Sequence, residues 1–213
     1  MIRKLQIILI FSLFTFHFSL FTFASSVDNV VSELQKKYSG IQDMKGKFSQ
    51  KSYLKDLEKV ETYEGEFFIK KPFSMRWKYS KPRDEEVIIR DSGTWVYKES
   101  EKQAFKTAFN KDSYNQVPIA LLSSLGDLTA DFDITMIKEG TLELKPKRTM
   151  GYINTVYIDV VSRDFPVKTL TLLDVYGNKI VIEMKNVKLN TGLEDSFFTF
   201  KLPPGTEVFD LSQ

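Results

Sequence analysis

The sequence predicts a mainly β (α+β) protein, built on one antiparallel sheet that curls toward a barrel. The strand pattern is clearest from Phe73 to Tyr79, where large apolar side chains alternate with Ser74, Arg76 and Lys78. This period of two indicates a strand with one apolar and one solvated face. Short polar segments separate the successive strands, and a total of about ten or eleven strands is more than one flat sheet comfortably holds. The sheet is therefore expected to curl.

Residues 1–24 are predicted to be a secretory signal peptide. Arg3 and Lys4 precede an almost wholly apolar run from Leu5 to Phe23, which ends at the small residue Ala24. The run is long for a signal peptide, so retention as a single membrane anchor is the alternative. Cleavage near Ala24 is the preferred interpretation, and it would release an exported chain.

The exported chain, residues 25–213, is expected to be a single domain without cofactors. Loss of Arg3 and Lys4 leaves 28 of the 30 basic residues, which balance the 28 acidic ones. His17 is the only histidine and is lost too, and the chain has no cysteine. Serine and cysteine triads need an imidazole, and zinc, haem and iron–sulfur sites draw chiefly on histidine and cysteine. Balanced charge also argues against nucleic acid as a partner.

The first half of the exported chain is predicted to be one helix followed by strands. Ser26 to Tyr38 places apolar residues three and four apart, with acids near its start and lysines near its end, as in an amphipathic helix. The predicted strands are Met44 to Leu54, Lys59 to Lys71, Phe73 to Tyr79, Glu86 to Asp91, Thr94 to Glu99 and Gln103 to Phe109. Their short connections predict local antiparallel hairpins.

The second half begins with an apolar helix. Val117 to Leu125 has Pro118 near its start and little solvated face, so it is expected to be buried or to rest over a cavity. The further predicted strands are Phe132 to Lys138, Thr141 to Pro146, Tyr152 to Val161, Val167 to Leu173 and Lys179 to Leu189. The tail supplies a closing apolar patch of three phenylalanines, Phe197, Phe198 and Phe200.

The apolar face of the predicted sheet bears most directly on function. The large side chains predicted to share it are Phe48, Phe67, Ile69, Met75, Trp77, Tyr79, Trp95 and Tyr97. One short and one medium helix can hardly fill the interior of such a barrel, so an apolar cavity under a helical lid is expected. Methionine with aromatic residues suits a ligand of variable shape. Ordinary core packing of the same residues is the alternative.

A pair of carboxylates offers the remaining enzymatic alternative, since hydrolysis of glycosides uses such pairs. The candidate clusters are Asp84 to Glu86, Glu99 with Glu101, Asp131 with Asp133, and Glu194 with Asp195. All of them lie in predicted turns or beside lysines, where solvated surface charge is the usual outcome. The sequence therefore predicts a protein that is not an enzyme.

Several segments, taken in order, resemble the outer-membrane lipoprotein carrier family LolA. They begin at Phe48-Ser49-Gln50 and continue with Gly65 to Pro72, Met75 to Tyr79 with Pro82, Asp91 to Tyr97, the helix led by Pro118, Asp174 to Asn178, and Phe198 to Gly205. No single segment is specific, whereas their order and spacing together are. The resemblance implies an unclosed antiparallel β-barrel of about 11 strands, with a helical lid over an apolar cavity.

The resemblance also implies a monomeric chaperone in the periplasm. Such a chaperone takes acylated lipoproteins from an ABC-type release complex of the inner membrane and hands them to an outer-membrane receptor. The acyl cavity is then assigned to Phe48, Phe67, Ile69, Met75, Trp77, Tyr79 and Trp95, and the lid to Ile119, Leu122 and Leu125. A lipid-binding or lipoprotein-sensing periplasmic domain of the same fold, tethered by an uncleaved N-terminus, is the alternative.

One family feature falls on a different residue type in this chain. In the family, an arginine directly before the proline donates hydrogen bonds to lid carbonyls and holds the cavity shut. Here that position is Lys71, and the acceptors are expected near Leu122 and Ser123. Lysine lacks the planar fork of arginine, so a less specific latch is expected.

Overall fold

A single sheet of twelve strands forms the body of the protein. The computed structural model describes residues 26–80, 82–90, 93–108, 122 and 125–212. The predicted signal peptide and most of the predicted lid helix, including Ile119, lie outside these ranges. Over the described ranges, no helix combines the length and the apolarity needed to cross a bilayer.

The elements follow the predicted order closely. The strands are β1 (Asp43–Leu54), β2 (Lys59–Lys70), β3 (Ser74–Tyr79), β4 (Glu85–Arg90), β5 (Gly93–Lys98), β6 (Gln103–Thr107), β7 (Phe132–Lys138), β8 (Thr141–Pro146), β9 (Ile153–Val160), β10 (Val167–Asp174), β11 (Lys179–Leu189) and β12 (Glu207–Asp210). The helices that lie wholly within the described residues include α1 (Val27–Ser39), the short α2 (Leu128–Asp131) and a 3₁₀ helix (Asp195–Phe198).

The sheet is antiparallel with one exception and does not close. Its strand order is β12-β6-β5-β4-β3-β2-β1-β11-β10-β9-β8-β7, which leaves β12 and β7 at the two edges. Ten of the eleven neighbouring strand pairs are antiparallel. The remaining pair, β12 with β6, is parallel. The unclosed barrel-like sheet is therefore confirmed, and the twelfth strand is an addition that the sequence pattern did not predict.

The sheet curls because one apolar core joins its distant parts. Phe67 from β2, Val87 from β4, Leu142 from β8 and Ile158 from β9 belong to the same buried cluster. Leu34 of α1 joins them, so this helix packs its apolar stripe against the concave side. Burial of apolar surface is the main driving force for such a closure.

Helix α1 has the local signals that its sequence predicts. The side chain of Ser26 caps its N-terminus by accepting a hydrogen bond from the backbone N–H of Asn29 at 3.3 Å. Asp28 lies in the first turn, and Lys36 and Lys37 lie in the last, which complements the helix dipole. The helix therefore ends beside β2, where its last carbonyl groups are presented to Lys71.

Candidate functional site

Six of the seven predicted cavity residues lie together on the concave face of β1, β2 and β3. The ring of Phe48 stacks on Trp77 with centroids 3.7 Å apart and meets Tyr79 edge-on at 5.4 Å. The most exposed of the six, Tyr79, has only 6% of its surface accessible. The six residues are Phe48, Phe67, Ile69, Met75, Trp77 and Tyr79.

Two glycines make room for these rings. A Cβ atom at Gly65 would lie 2.6 Å from the ring of Phe48, and one at Gly46 would lie 3.0 Å from the ring of Phe67. Any larger residue would push the rings away from the strand backbone. The glycines thus let the aromatic side chains lie flat against the concave face.

The two predicted lid residues that the structure describes belong to the same buried core as this face. Leu122 and Leu125 are 0% and 1% exposed, and both belong to the buried cluster that contains the six concave-face residues. The predicted lid residue Ile119 lies outside the described residues. In this structure, the candidate acyl-binding face is therefore covered by side chains of the chain itself.

Trp95 does not share the concave face, so its predicted position is corrected. In the strand register, Trp77 lies opposite Val87, and Val87 lies opposite Val96. Trp95 is therefore on the other, outer face, where its ring contacts Phe200 at 5.0 Å. Tyr97 follows the same alternation, and its ring lies 5.7 Å from that of Phe200. The apolar run in β4 hides the alternation that would reveal this phase from sequence.

A C-terminal segment, here called the strap (residues 190–203), covers part of this outer face. The ring of Phe197 packs on Phe68 at 4.7 Å, and Phe198 is completely buried. Arg76 ties the strap to the sheet, because it donates to the Phe197 carbonyl at 2.7 Å and to Glu86 at 2.6 Å. The predicted closing patch of phenylalanines is thus a small second core on the outer face.

Asp43 anchors the start of the strap. Its carboxylate accepts hydrogen bonds from the backbone N–H groups of Thr191, Gly192 and Leu193 and from the Thr191 hydroxyl, at 2.7 to 3.3 Å. Burial by itself would raise the pKa of Asp43, but these hydrogen bonds together lower it below its ordinary value. The strap is therefore held by a charged acceptor at 5% exposure.

Lys71, the predicted latch residue, contacts the end of α1 in the described part of the chain, whereas the predicted acceptor Ser123 lies outside the described residues. The Nζ of Lys71 donates to the carbonyl oxygens of Tyr38 at 2.6 Å and Ser39 at 3.3 Å, and lies 4.3 Å from the centre of the Tyr38 ring. Burial lowers the pKa of the Lys71 ammonium. The acceptors were expected near Leu122 and Ser123, whereas the contacts found lie at the C-terminus of α1. A lysine suits this place because its compact charge meets the negative end of the helix dipole.

Helix α1 also contacts the chain just after the predicted lid segment. The side-chain amide of Gln35 donates to the carbonyl of Gly126 at 3.2 Å, directly after the buried residue Leu125. The lysine therefore holds α1, and α1 in turn contacts the chain that leaves the lid.

Replacing Lys71 with methionine is expected to loosen α1. The variant keeps the length of the side chain but loses the hydrogen bonds to the helix carbonyls, which contribute about 1 to 2 kcal/mol at a partly buried site. Hydrogen exchange followed by mass spectrometry should show faster exchange in the last turns of α1. Lys70→Met, at the neighbouring position that pairs with the exposed Asp195, is the control and should leave α1 unchanged. Equal exchange rates in α1 of both variants would contradict the latch.

The outer face also carries a groove beside the strap, with a volume of about 660 Å³. Its lining mixes charged residues such as Arg76 and Glu86 with apolar ones such as Phe197 and Phe200. Charged side chains of both signs favour polar ligands or solvent over acyl chains. The concave face is therefore the better candidate for an apolar ligand.

The predicted acidic clusters do not converge on a reaction centre in the described part of the chain. Asp131 pairs with Arg148 at 2.7 Å, and Glu86 pairs with Arg76. Within those residues, no three histidine, cysteine, aspartate or glutamate side chains lie close enough to hold a metal ion. The carboxylates of Asp131 and Glu86 are both largely buried, and each is paired with an arginine, as buried charges require.

A polar set at one end of the concave face was missed from sequence. Gln50 and Ser52 are 4% and 7% exposed, and they point inward in the same row as Phe48. Arg83, from the loop after β3, lies over the ring of Tyr79 at 3.9 Å. Gln50 and Ser52 follow Phe48 by two and four residues, and this strand spacing could have predicted that they point inward. No sequence pattern indicates that Arg83 folds back over Tyr79.

Comparison with known proteins identifies a family model that matches most of the chain. The model described as outer membrane lipoprotein carrier protein LolA matches residues 39–201. A protein from Alkalilimnicola ehrlichii, named outer-membrane lipoprotein carrier protein, is 26% identical over 181 residues, which cover 84% of this chain and 83% of the relative. A protein of the same name from Pectobacterium carotovorum is 28% identical over 188 residues, covering 87% and 90%.

A solved structure shows the same fold at low sequence identity. An uncharacterized conserved protein from Thermus thermophilus superposes with a TM-score of 0.53 and 13% identity, covering 86% of this chain and 98% of the other. Identity this low supports the architecture alone.

Proposed function

Because the chain belongs to the LolA family of outer-membrane lipoprotein carrier proteins, we propose that it carries acylated lipoproteins across the periplasm. The family is one of carriers rather than enzymes, in agreement with the function class predicted from the sequence. We further propose that residues 1–24 are removed near Ala24 and that the mature protein acts as a monomer. An ABC-type complex in the inner membrane would supply its cargo, and a receptor at the outer membrane would accept it.

The observation that carries this proposal is the apolar concave face beneath the lid residues. Acyl chains would lie on Phe48, Phe67, Met75 and Trp77, with Ile69 and Tyr79 at the sides. Leu122 and Leu125 are buried in the same core, so we propose that cargo enters by displacing them. Burial of all six residues supports the proposal that this conformation is the unloaded carrier.

The energetics favour such a displacement. Burying about 14 methylene groups of one acyl chain contributes about 11 kcal/mol, whereas exposing two leucine side chains costs about 3 to 6 kcal/mol. An unaccompanied lipoprotein with two or three chains would lose tens of kcal/mol in water, at about 0.8 kcal/mol per methylene. Flexible methionine and aromatic contacts shield the chains without the directional bonds that would prevent release.

Release of a lipoprotein from spheroplasts tests the proposal. Full-length protein is expressed together with an epitope-tagged lipoprotein and the inner-membrane release complex, and the soluble fraction is collected. We expect the lipoprotein to appear there in a one-to-one complex with the carrier. The mass of the recovered carrier also shows whether it begins near Ser25, as a shuttle requires, or retains the N-terminal segment, as a tethered sensor would.

The matched control is the same cargo with its acylated cysteine replaced by serine, which should not associate with the carrier. Equal recovery of acylated and non-acylated cargo would refute a role in shielding acyl chains. Failure to release the acylated cargo, with the inner-membrane complex present, would refute the carrier role itself.

A further inference from the structure

The concave face changes from apolar to polar along its length. Near α1 it is lined by residues such as Met44 and Ile69, whereas at its other end β1 turns Gln50 and Ser52 inward. Polar side chains buried to this degree require partners, and they are usually retained where they have a role. The end of the face farther from Lys71 is therefore chemically distinct.

A chain of hydrogen bonds organises this polar end. The Tyr79 hydroxyl donates to the side-chain oxygen of Gln50 at 3.1 Å, and the Gln50 amide donates to the Ser52 hydroxyl at 3.0 Å. The chain begins directly beside the apolar set, because the ring of Tyr79 contacts both Phe48 and Trp77. A ligand lying along the aromatic residues would reach these polar groups next.

Arg83 completes the set from the loop between β3 and β4. Its guanidinium lies 3.9 Å from the ring centre of Tyr79 and 4.9 Å from that of Tyr63, and it donates to Glu85 at 2.9 Å. Its side chain is 30% exposed, so the group is oriented by its neighbours and still accessible. An arginine fork held in this way presents further N–H donors in a fixed direction.

We propose that Arg83, the Gln50 amide and the Ser52 hydroxyl form a subsite for the ester and amide carbonyl groups that join acyl chains to their polar backbone, and that the Tyr79 hydroxyl orients Gln50 within it. The proposal rests on the proposed carrier function, and it assigns the orientation of the cargo: chain ends toward α1 and the linkage toward Arg83. Carbonyl oxygens that leave water with the acyl chains need new donors, and this end of the face supplies them.

Local charge favours neutral carbonyl groups over a phosphate. The charge of Arg83 is already balanced by the carboxylate of Glu85, whose side chain is only 13% exposed. Glu61 of β2 is a second carboxylate close enough to interact with the charge of Arg83, and it accepts a hydrogen bond from the Tyr63 hydroxyl. A phosphate headgroup would meet both carboxylates, whereas a carbonyl oxygen accepts a hydrogen bond without adding charge.

Binding of synthetic lipopeptides tests the subsite. The full-length mature protein is titrated with a peptide whose N-terminal cysteine carries a dipalmitoylglyceryl group, and with an analogue in which alkyl ethers replace both esters. A neutral naphthylamine dye without carbonyl groups reports on the apolar face alone. The wild type should bind the ester form about tenfold more tightly than the ether form, as expected for one hydrogen bond to a charged donor.

Variants assign this preference to residues. Arg83→Met should abolish the tenfold preference and leave dye affinity unchanged. Tyr79→Phe, which removes the donor that orients Gln50, should reduce the preference, and its dye affinity shows whether the apolar face is still intact. Lys78→Met is the matched control, because Lys78 is an exposed cation of β3 on the outer face, adjacent to Tyr79. It should retain the preference.

The outcomes separate the subsite from the carrier function. Equal binding of the ester and ether peptides by the wild type refutes the subsite and leaves the carrier function intact. Loss of dye and lipopeptide binding together in Arg83→Met assigns the arginine a merely structural role and also refutes the subsite. Binding of phosphatidylglycerol, but not lipopeptide, in an Arg83-dependent way overturns the carbonyl assignment. Failure of the wild type to bind either lipopeptide or the dye refutes the carrier function itself.

Discussion

Replacing Gly65 with alanine is expected to lower the free energy of unfolding by about 3 kcal/mol, the upper part of the range for overpacked cores. The new Cβ atom would lie 2.1 Å from the backbone carbonyl oxygen of Lys78 and 2.6 Å from the ring of Phe48. The strand cannot simply retreat, because Gly65 pairs with Phe48 on one side and with Tyr79 on the other. Either the β2–β3 ladder opens or the aromatic ring leaves the concave face.

Urea denaturation measures this loss, and Gly40→Ala is the control. A Cβ atom at Gly40 meets nothing closer than a backbone oxygen at 3.7 Å, and the backbone there has ordinary helical angles. Its effect should stay within about 0.5 kcal/mol. A Gly65→Ala protein as stable as the Gly40→Ala protein would show that β2 and β3 accommodate a side chain here.

Replacing Asp43 with alanine is expected to cost about 3 kcal/mol and to release the strap from β1. The substitution removes the acceptor for the backbone N–H groups of Thr191, Gly192 and Leu193, and it leaves them to be satisfied by water. Loss of this anchor should expose Phe198, which is now fully buried on the outer face. Thermal unfolding and protease cleavage within the strap measure the two effects.

The Asp43 anchor should also contribute to acid sensitivity. The pKa of Asp43 in the folded protein lies below the ordinary value of 3.8. Its contribution to the free energy of unfolding is therefore fully present above pH 3.8. It is lost as the pH falls through the lower, folded-state pKa, because the carboxylate must then be protonated.

Unfolding curves between neutral pH and pH about 3 test the linkage. The Asp43→Ala protein should lose less stability over this range than the wild type does. Asp56→Ala, at an exposed position in the β1–β2 turn, serves as the control and should follow the wild type. Parallel curves for Asp43→Ala and the wild type would contradict the assignment.

Local sequence signals predicted most elements because they act within one strand or helix. The alternation in β3, the spacing of apolar residues in α1 and the hairpin connections each depend on neighbours a few residues apart. The strand bounds agree with the structure to within one or two residues through most of the chain. Strand β12 was not predicted, because its four residues follow Pro203-Pro204-Gly205 and pair in parallel with β6, which is far away in sequence.

The relative phase of two strands was not available from local pattern. The clear alternation of β5 predicts that Trp95 and Tyr97 share a face, but whether that face is the one that bears Trp77 depends on the register through β4. Apolar residues on both faces of β4, Val87, Ile88 and Ile89, conceal that register. The buried Ile88 shares the outer face with Trp95, where the strap covers this part of the sheet.

By itself, the sequence determined the β-rich class, the concave aromatic row from Phe48 to Tyr79 and the family resemblance, because each is written in short-range periodicity or ordered motifs. The tertiary structure alone decided that Lys71 holds the end of α1, that Asp43 holds the strap and that Arg83 folds over Tyr79. The first contact joins residues 33 positions apart in the sequence, and the second joins residues 148 positions apart. The third joins a loop residue to a ring four positions earlier. All three depend on the direction of a side chain, and the first also depends on the position of backbone carbonyl groups. Such directions exist only once the sheet has curled, since the curl is what brings each donor to its acceptor.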